Sequence, residues 1–307
     1  MRARRIIMII AAACSVIALV ILAPTPAWAW GPITHVALGV QVLATVITPG
    51  HPIEATLAAL PEVFLYGSLA PDIVQGRRLQ SRLRRHSHNW ATGLGLLKSA
   101  RGAEQHAFAL GYLAHLAGDV VAHNFFLPAR FVGRYDSGIA SHLLTEARFD
   151  SFQDADYRDL LVNLVRADFR PLNRMLQRAV ETPFFGFSTH RRIFEGGLRR
   201  IRQFDSAMKA LGGPNASETE DIELFSQASC GAISGVLHDP HGAAACRFDP
   251  MGEQAVRSAL ALRRNLQRLN RLGPKPSRTA RRMAATMLDE MRLHLRESPF
   301  TAVTAAS

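Results

Sequence analysis

The sequence predicts an all-α protein, a single helical domain, on three observations. The stretches with a clear hydrophobic period have the helical one, from Thr34 near the start to Leu272 near the end. Several breaks between them fall at glycine and proline, at Gly50-His51-Pro52, Pro171, Gly212-Gly213-Pro214 and Gly273-Pro274. A run near the middle, about Ala103 to Phe126, is so apolar that it reads as a helix buried at the centre of a domain. With 307 residues, 48% of them hydrophobic, the chain is long enough to build that core. No internal repeat is evident.

The elements follow in order. Residues 1–29 read as a signal peptide and are set aside from the fold. Arg2, Arg4 and Arg5 form a charged start, Ile6 to Ala23 is apolar, and Ala27-Trp28-Ala29 is an A-x-A cleavage pattern. Cleavage there makes the protein secreted or periplasmic. The apolar run of 18 residues is also long enough for an uncleaved membrane anchor. Cys14 lies inside it, and a lipoprotein-type cysteine is the weaker alternative beside the site at Ala29. Cleavage after Ala29 gives Trp30 a free α-amine. With an ordinary pKa near 8, that amine deprotonates easily and can bind a metal, clipping an ion together with the ring of His35. Loss of Arg2, Arg4 and Arg5 takes Lys+Arg from 36 to 33 against 25 Asp+Glu, and the net charge from +11 to +8. That charge favours phospholipid surfaces or nucleic acid without choosing between them. Cys230 and Cys246 remain, in a Gly/Ala-rich stretch that looks like a loop, and in an exported protein a disulfide between them is the expectation.

Thr34 to Val46 is a helix, and a second runs from Ile53 to about Leu65. Gly67 and Pro71 mark a turn that presents Asp72, either as an ordinary turn or cap residue or as a ligand. Arg77 to Arg85 is basic and solvated. In His86-Ser87-His88-Asn89-Trp90, both imidazoles can face water, or one can reach a metal. The central helix then carries His115, Asp119 and His123 on one stripe, and Pro128 is expected to end it. At about 100° per residue, Asp119 lies about 40° round from His115 and His123 about 80°. Ionisable groups on an apolar face are costly to bury unless paired or metal-bound. The stripe rises about 12 Å, far more than one ion with ligands at about 2.0–2.2 Å can span. His115 and His123 therefore cannot share one ion, and the stripe suits either two or more metals laid along the helix, with Asp119 between them as a bridge, or a core helix with satisfied polar groups. A further helix carries His142 and Glu146 at i and i+4, a spacing that suits either a chelating pair or a surface pair.

Beyond Asp150 the helices are Leu160 to Leu176, Arg191 to Phe204 and Met251 to Leu272. The Arg-rich segment Arg263 to Arg296 reads as a solvated helical face, with contact to an anionic membrane the alternative. His238-Asp239-Pro240-His241 looks like a loop without a third ligand. The donors accumulated are Trp30, His35, Asp72, His86 or His88, His115, Asp119, His123, His142 and Glu146, all nitrogen or oxygen. So many ligands overfill one site and fit a cluster of two or three zinc-like ions.

The chain resembles the zinc-dependent phospholipase C family. The resemblance covers Trp30 to Asp150 and rests on Trp30-Gly31-Pro32-Ile33-Thr34-His35, Gly67 to Ile73, His88-Asn89-Trp90, His115 to His123, and His142 to Glu146. It implies an all-α fold with a three-metal cluster in a cleft. One zinc would take Asp72, His88 (or His86), His115 and Asp119. A second would take His123, His142 and Glu146. A third would take the amine and carbonyl of Trp30, the ring of His35, and Asp119 as the bridge. The short spacing from Asp119 to His123 looks less like secreted bacterial phospholipases C than like the related domain of glycosylphosphatidylinositol-specific phospholipase D. Fungal single-strand nucleases share that fold and an N-terminal Trp, but carry Asp where this chain has Glu146.

The chemistry so implied is metal-assisted hydrolysis of a phosphodiester, with phospholipid as first-choice substrate. Asp72 and Asp119 are the candidate catalytic carboxylates, Asp72 to orient or deprotonate the attacking water. Trp90 is a candidate apolar wall for acyl chains, whereas core packing is the expected role of Phe125 and Phe126. The alternatives are a nuclease of the same fold and a non-catalytic, metal-stabilised binding module on the envelope. A purely structural zinc needs only four ligands, which argues against the module.

Overall fold

The computed structural model describes residues 30–46, 53–74, 85–137, 149–182, 186–199 and 216–301. The expectations for the signal peptide, for His142 and Glu146, and for residues 200–215 lie outside them. All regular structure among the described residues is helical, in one domain. The helices are α1 (Pro32–Val46), α2 (Glu54–Ala59), α3 (Pro61–Gly67), α4 (Ala70–Ile73), α5 (Trp90–Ser99), α6 (Ala103–Val121), α7 (Leu127–Gly133), α8 (Ala155–Arg166), α9 (Arg170–Ala179), α10 (Phe187–Arg199), α11 (Ala216–His238), α12 (Glu253–Arg271) and α13 (Pro274–Arg296). No helix among the described residues is long and apolar enough to cross a membrane.

Helix α6 is the axis. Every residue from Ala107 to Val121 is buried, and α1, α3, α5 and α11 pack around it. The approach of α3 is the closest. Gly67 and Gly111 face each other there, and a Cβ on either would meet backbone of the other helix, at Phe108 and Phe64. The C-terminal pair α12 and α13 packs on α7 around a second small core of Val132, Tyr135, Leu266, Ala280 and Ala284. Arg130, Arg134 and Arg292 form ion pairs with Glu218 and Asp221 and so tie α7 and α13 to α11.

Several sequence expectations need correction. Pro128 does not end the central helix. A π turn, Ala122–Phe126, follows α6, and the Leu127 N–H donates to the Ala122 carbonyl five residues back. Pro128 then falls in the first turn of α7, where its missing N–H is not needed. The single helix expected from Ile53 is instead α2 and α3, because Pro61 opens a new first turn. The break expected at Pro171 does part Leu160 to Leu176, into α8 and α9. The stretch around Cys230 is not a loop but part of α11. Cys230 and Cys246 are free thiols. The Cys230 thiol reaches Gln41 Oε1 at 3.4 Å and that of Cys246 the Pro240 carbonyl at 3.3 Å, so each has a separate partner.

Candidate metal centre

Four segments bring donors to one point on α6. Helix α1 carries His35, α4 carries Asp72, the turn ahead of α5 carries His88, and α6 itself carries His115 and Asp119. His123 joins them from the π turn, an irregularity often found where a helix bears functional groups. All six side chains are buried. His115 Nε2 lies 3.2 Å from His88 Nε2 and 3.3 Å from Asp119 Oδ2. His88 Nε2 lies 3.3 Å from Asp72 Oδ1 and 3.6 Å from Asp119 Oδ2. His35 Nε2 is 3.4 Å from Asp119 Oδ1, and His123 Nε2 is 3.8 Å from Asp119 Oδ2.

These separations fit a metal. Ligand atoms at about 2.0–2.2 Å from a tetrahedral ion stand roughly 3.3–3.6 Å apart along each edge. The donors form two overlapping triads, Asp72-His88-His115 and His35-His115-Asp119. Two imidazole nitrogens at 3.2 Å gain at most one hydrogen bond from each other, whereas both can offer a lone pair to a cation. The tautomer of His115 is set for that purpose. Its Nδ1 donates to the Ser68 carbonyl at 2.8 Å, which leaves Nε2 with its lone pair facing the cluster. His88 Nδ1 is held at 2.9 Å from Ser87 Oγ, and the Tyr112 hydroxyl donates to the Ser87 carbonyl, pinning that turn to α6. Burial, with Asp72 nearby, pushes the Tyr112 hydroxyl well above its ordinary pKa, so it stays a donor. Burial, with His115 stacked on it at 3.8 Å, holds His35 below the usual imidazole value. Neutral imidazole is the form that binds a metal.

Not every expected donor is in the cluster. His88 points in, and His86 does not. His86 Nε2 lies 3.4 Å from Asn89 Nδ2, the carbonyl of His86 accepts from Thr92 Oγ1, and the ring feels the charges of Asp249 and Glu253. Burial holds the His86 ring below its ordinary pKa. The Trp30 indole is buried between Phe126 and Phe149 and donates to the Gly118 carbonyl at 3.1 Å, next to Asp119. That anchors Trp30 beside the centre. Phe126 is core, as expected, and Phe125 packs on Phe248 and Phe300. Trp90 is less a free wall than an anchor, because its Nε1 donates to the Phe248 carbonyl at 2.9 Å.

Two supports escaped the sequence reading. Asp150 accepts from Thr34 N at 2.7 Å and from Thr34 Oγ1 at 2.8 Å, and so caps the start of α1 one residue before His35. The segment Phe248 to Gly252 closes the side at His123. Asn124 Nδ2 donates to the Asp249 carbonyl at 2.9 Å, and Gly252, at a φ of +56°, lies flat on the His123 backbone. Neither has a local signal, since both act across more than a hundred residues. The expected loop at His238 to His241 carries no site. His238 Nδ1 donates to the Ser234 carbonyl, and Asp239 takes the backbone N–H groups of His241 and Gly242.

A family model described as zinc dependent phospholipase C matches residues 34–212, more than half of the chain. No curated protein and no solved structure matches it.

Proposed function

Because the chain belongs to the zinc-dependent phospholipase C family, we propose that it is an exported hydrolase that cleaves the phosphodiester of phospholipids. Asp72, His88, His115 and Asp119 would hold one zinc. His35, Asp119 and the N-terminus created at Trp30 would hold a second, and His123 with His142 and Glu146 a third. Bound zinc supplies an acidified water, of pKa near 7, and positive charge against the phosphate oxygens. The chain's own groups do the rest. Asp72 orients the attacking water and takes up its proton. Ser68 and Ser87 hold the His115 and His88 rings in place. The Trp30 indole and the Asp150 cap fix the start of α1, and with it His35. The observation that carries the reading is the spacing of the buried donors, which lies close to the edges of a metal tetrahedron and is long for ordinary hydrogen bonds.

The test is product analysis with purified mature protein, with and without chelator, on phosphatidylcholine, phosphatidylinositol and single-stranded DNA. Phosphorylated headgroup should be released from lipid, chelator should stop the release, and DNA should be cut slowly or not at all. Faster cleavage of DNA than of every lipid would replace this reading with the nuclease one.

A further inference from the structure

Away from the metal centre, α5 and α9 leave a cleft of about 650 Å³ between them. Its lining carries four arginines: Arg85 ahead of α5, Arg101 beyond its end, and Arg174 and Arg178 on α9. Arg174 and Arg178 stand one turn apart on the same face of α9. The opposite face, on α5, is made of small residues around Gly95, which leaves room between the charged walls. Among the described residues, no carboxylate lines the cleft. Arg85 pairs with Glu181 at its edge, at 3.2 Å. Among the described residues, Arg101, Arg174 and Arg178 form no ion pair. The three arginines without an ion-pair partner give the cleft positive charge that an anion can balance. The planar fork of arginine matches the oxygens of a phosphate.

We propose that this cleft is a binding site for a phosphate-bearing anion, either the headgroup phosphate of an anionic phospholipid or free phosphate, which is held there and not hydrolysed. The volume is that of a small-molecule site, within the usual range of about 300–1,000 Å³. The ten-residue α9 is about 15 Å long, enough for one or two phosphates and too short for a polyanion track. None of the lining residues belongs to the metal centre, so the site stands whether or not the proposed hydrolysis does.

Arginine-selective modification by phenylglyoxal, mapped by mass spectrometry on the whole protein, tests it. Inorganic phosphate should slow modification of Arg101, Arg174 and Arg178 several-fold and leave exposed Arg257 and Arg281 unchanged. Vesicles of phosphatidylglycerol, run beside phosphatidylcholine vesicles, distinguish the sources. Protection at the same arginines by the anionic vesicles alone assigns a lipid headgroup, and protection only by inorganic phosphate assigns free phosphate. In the double variant R174Q/R178Q, at least tenfold more phosphate should be needed to protect Arg101. Equal protection of the cleft and control arginines, or protection of Arg101 that survives the double variant unchanged, would overturn the proposal.

Discussion

The two triads share His115, and Asp119 faces members of both. Its Oδ1 faces His35, and its Oδ2 faces His115, His88 and His123. Its replacement by Asn keeps the shape and removes the charge on both sides at once. Asp119→Asn is therefore expected to lower zinc per chain by more than one ion and turnover by at least about 10²-fold, the scale of losing one charge-stabilising group at a reacting centre. His123→Ala, at one edge of the cluster, should cost at most about one ion. Elemental analysis beside turnover reads both, and equal metal loss would remove the bridging role from Asp119. The contrast shows which site residues were legible. His115, Asp119 and His123 could be placed together from sequence because a helix fixes the angle between them. His86 and His88 could not be separated, because a turn has no period, and the contacts that hold this turn, Tyr112 and Ser87 on the side of His88, Asn89 and Thr92 on that of His86, come only with the fold. Asp150 left no trace in the sequence, since its partner Thr34 is 116 residues away.

At the scale of elements, the position of Asp72 depends on how closely α3 lies on α6. That contact is backbone on backbone at Gly67 and Gly111, with no flexible side chain to give way. Gly67→Ala and Gly111→Ala should each destabilise the protein by about 3 kcal/mol, the upper part of the usual cost of overpacking. Both should also weaken zinc binding, because Ser68 and Asp72 follow α3 directly. Gly196→Ala in α10, where a Cβ meets nothing, should instead stabilise by about 0.5–1 kcal/mol. Denaturant midpoints separate the outcomes, and a neutral Gly67→Ala would mean that α3 and α6 do not touch in this way. Proline and glycine made several element boundaries readable, as at Pro171 and Pro274, which sit in first turns, whereas Pro61, in the same kind of position, went unread. Pro128 misled because a π turn upstream changes the register that the proline meets. Helix α11 was missed for another reason. Its Ala, Ser and Gly residues look like loop composition, yet small residues are what a helix needs to pack tightly on α6 and the C-terminal segment. Ala228 and Ser229 are fully buried, and Gly231 lies against the Phe300 carbonyl.

Across the whole molecule, the all-α class was readable because helical periods recur along the chain, but the union of its two ends was not. The family match stops at residue 212, whereas Phe248 to Gly252 closes the metal centre beside His123. The centre thus links the N-terminal helices, α6 and the C-terminal segment, and its metals should stabilise the whole fold. A ligand that binds only the folded chain adds about 2.7 kcal/mol per site at a hundredfold excess over Kd. For a chain of this size that is roughly 5–10 °C in Tm, at about 2–4 °C per kcal/mol. Chelation at pH 7.5 should lower Tm by about that much for each zinc removed, and added zinc should restore it. The dependence on pH follows from His35, which burial holds below its ordinary value of 6.5. Below pH 6.5 the unfolded chain takes up a proton at this position that the folded metal-free chain does not. The unfolded state then binds more protons, so stability falls as pH falls, from about 6.5 down to the depressed folded value. Protons also compete with zinc for every imidazole in the cluster. The metal-free protein should therefore lose Tm between pH 7.5 and 5.5, and the zinc-loaded protein should lose more, so that the gap between them narrows. Thermal scans of both forms across that range make the test. Equal Tm with and without zinc at pH 7.5 would show that the buried cluster is a hydrogen-bonded core and not a metal centre.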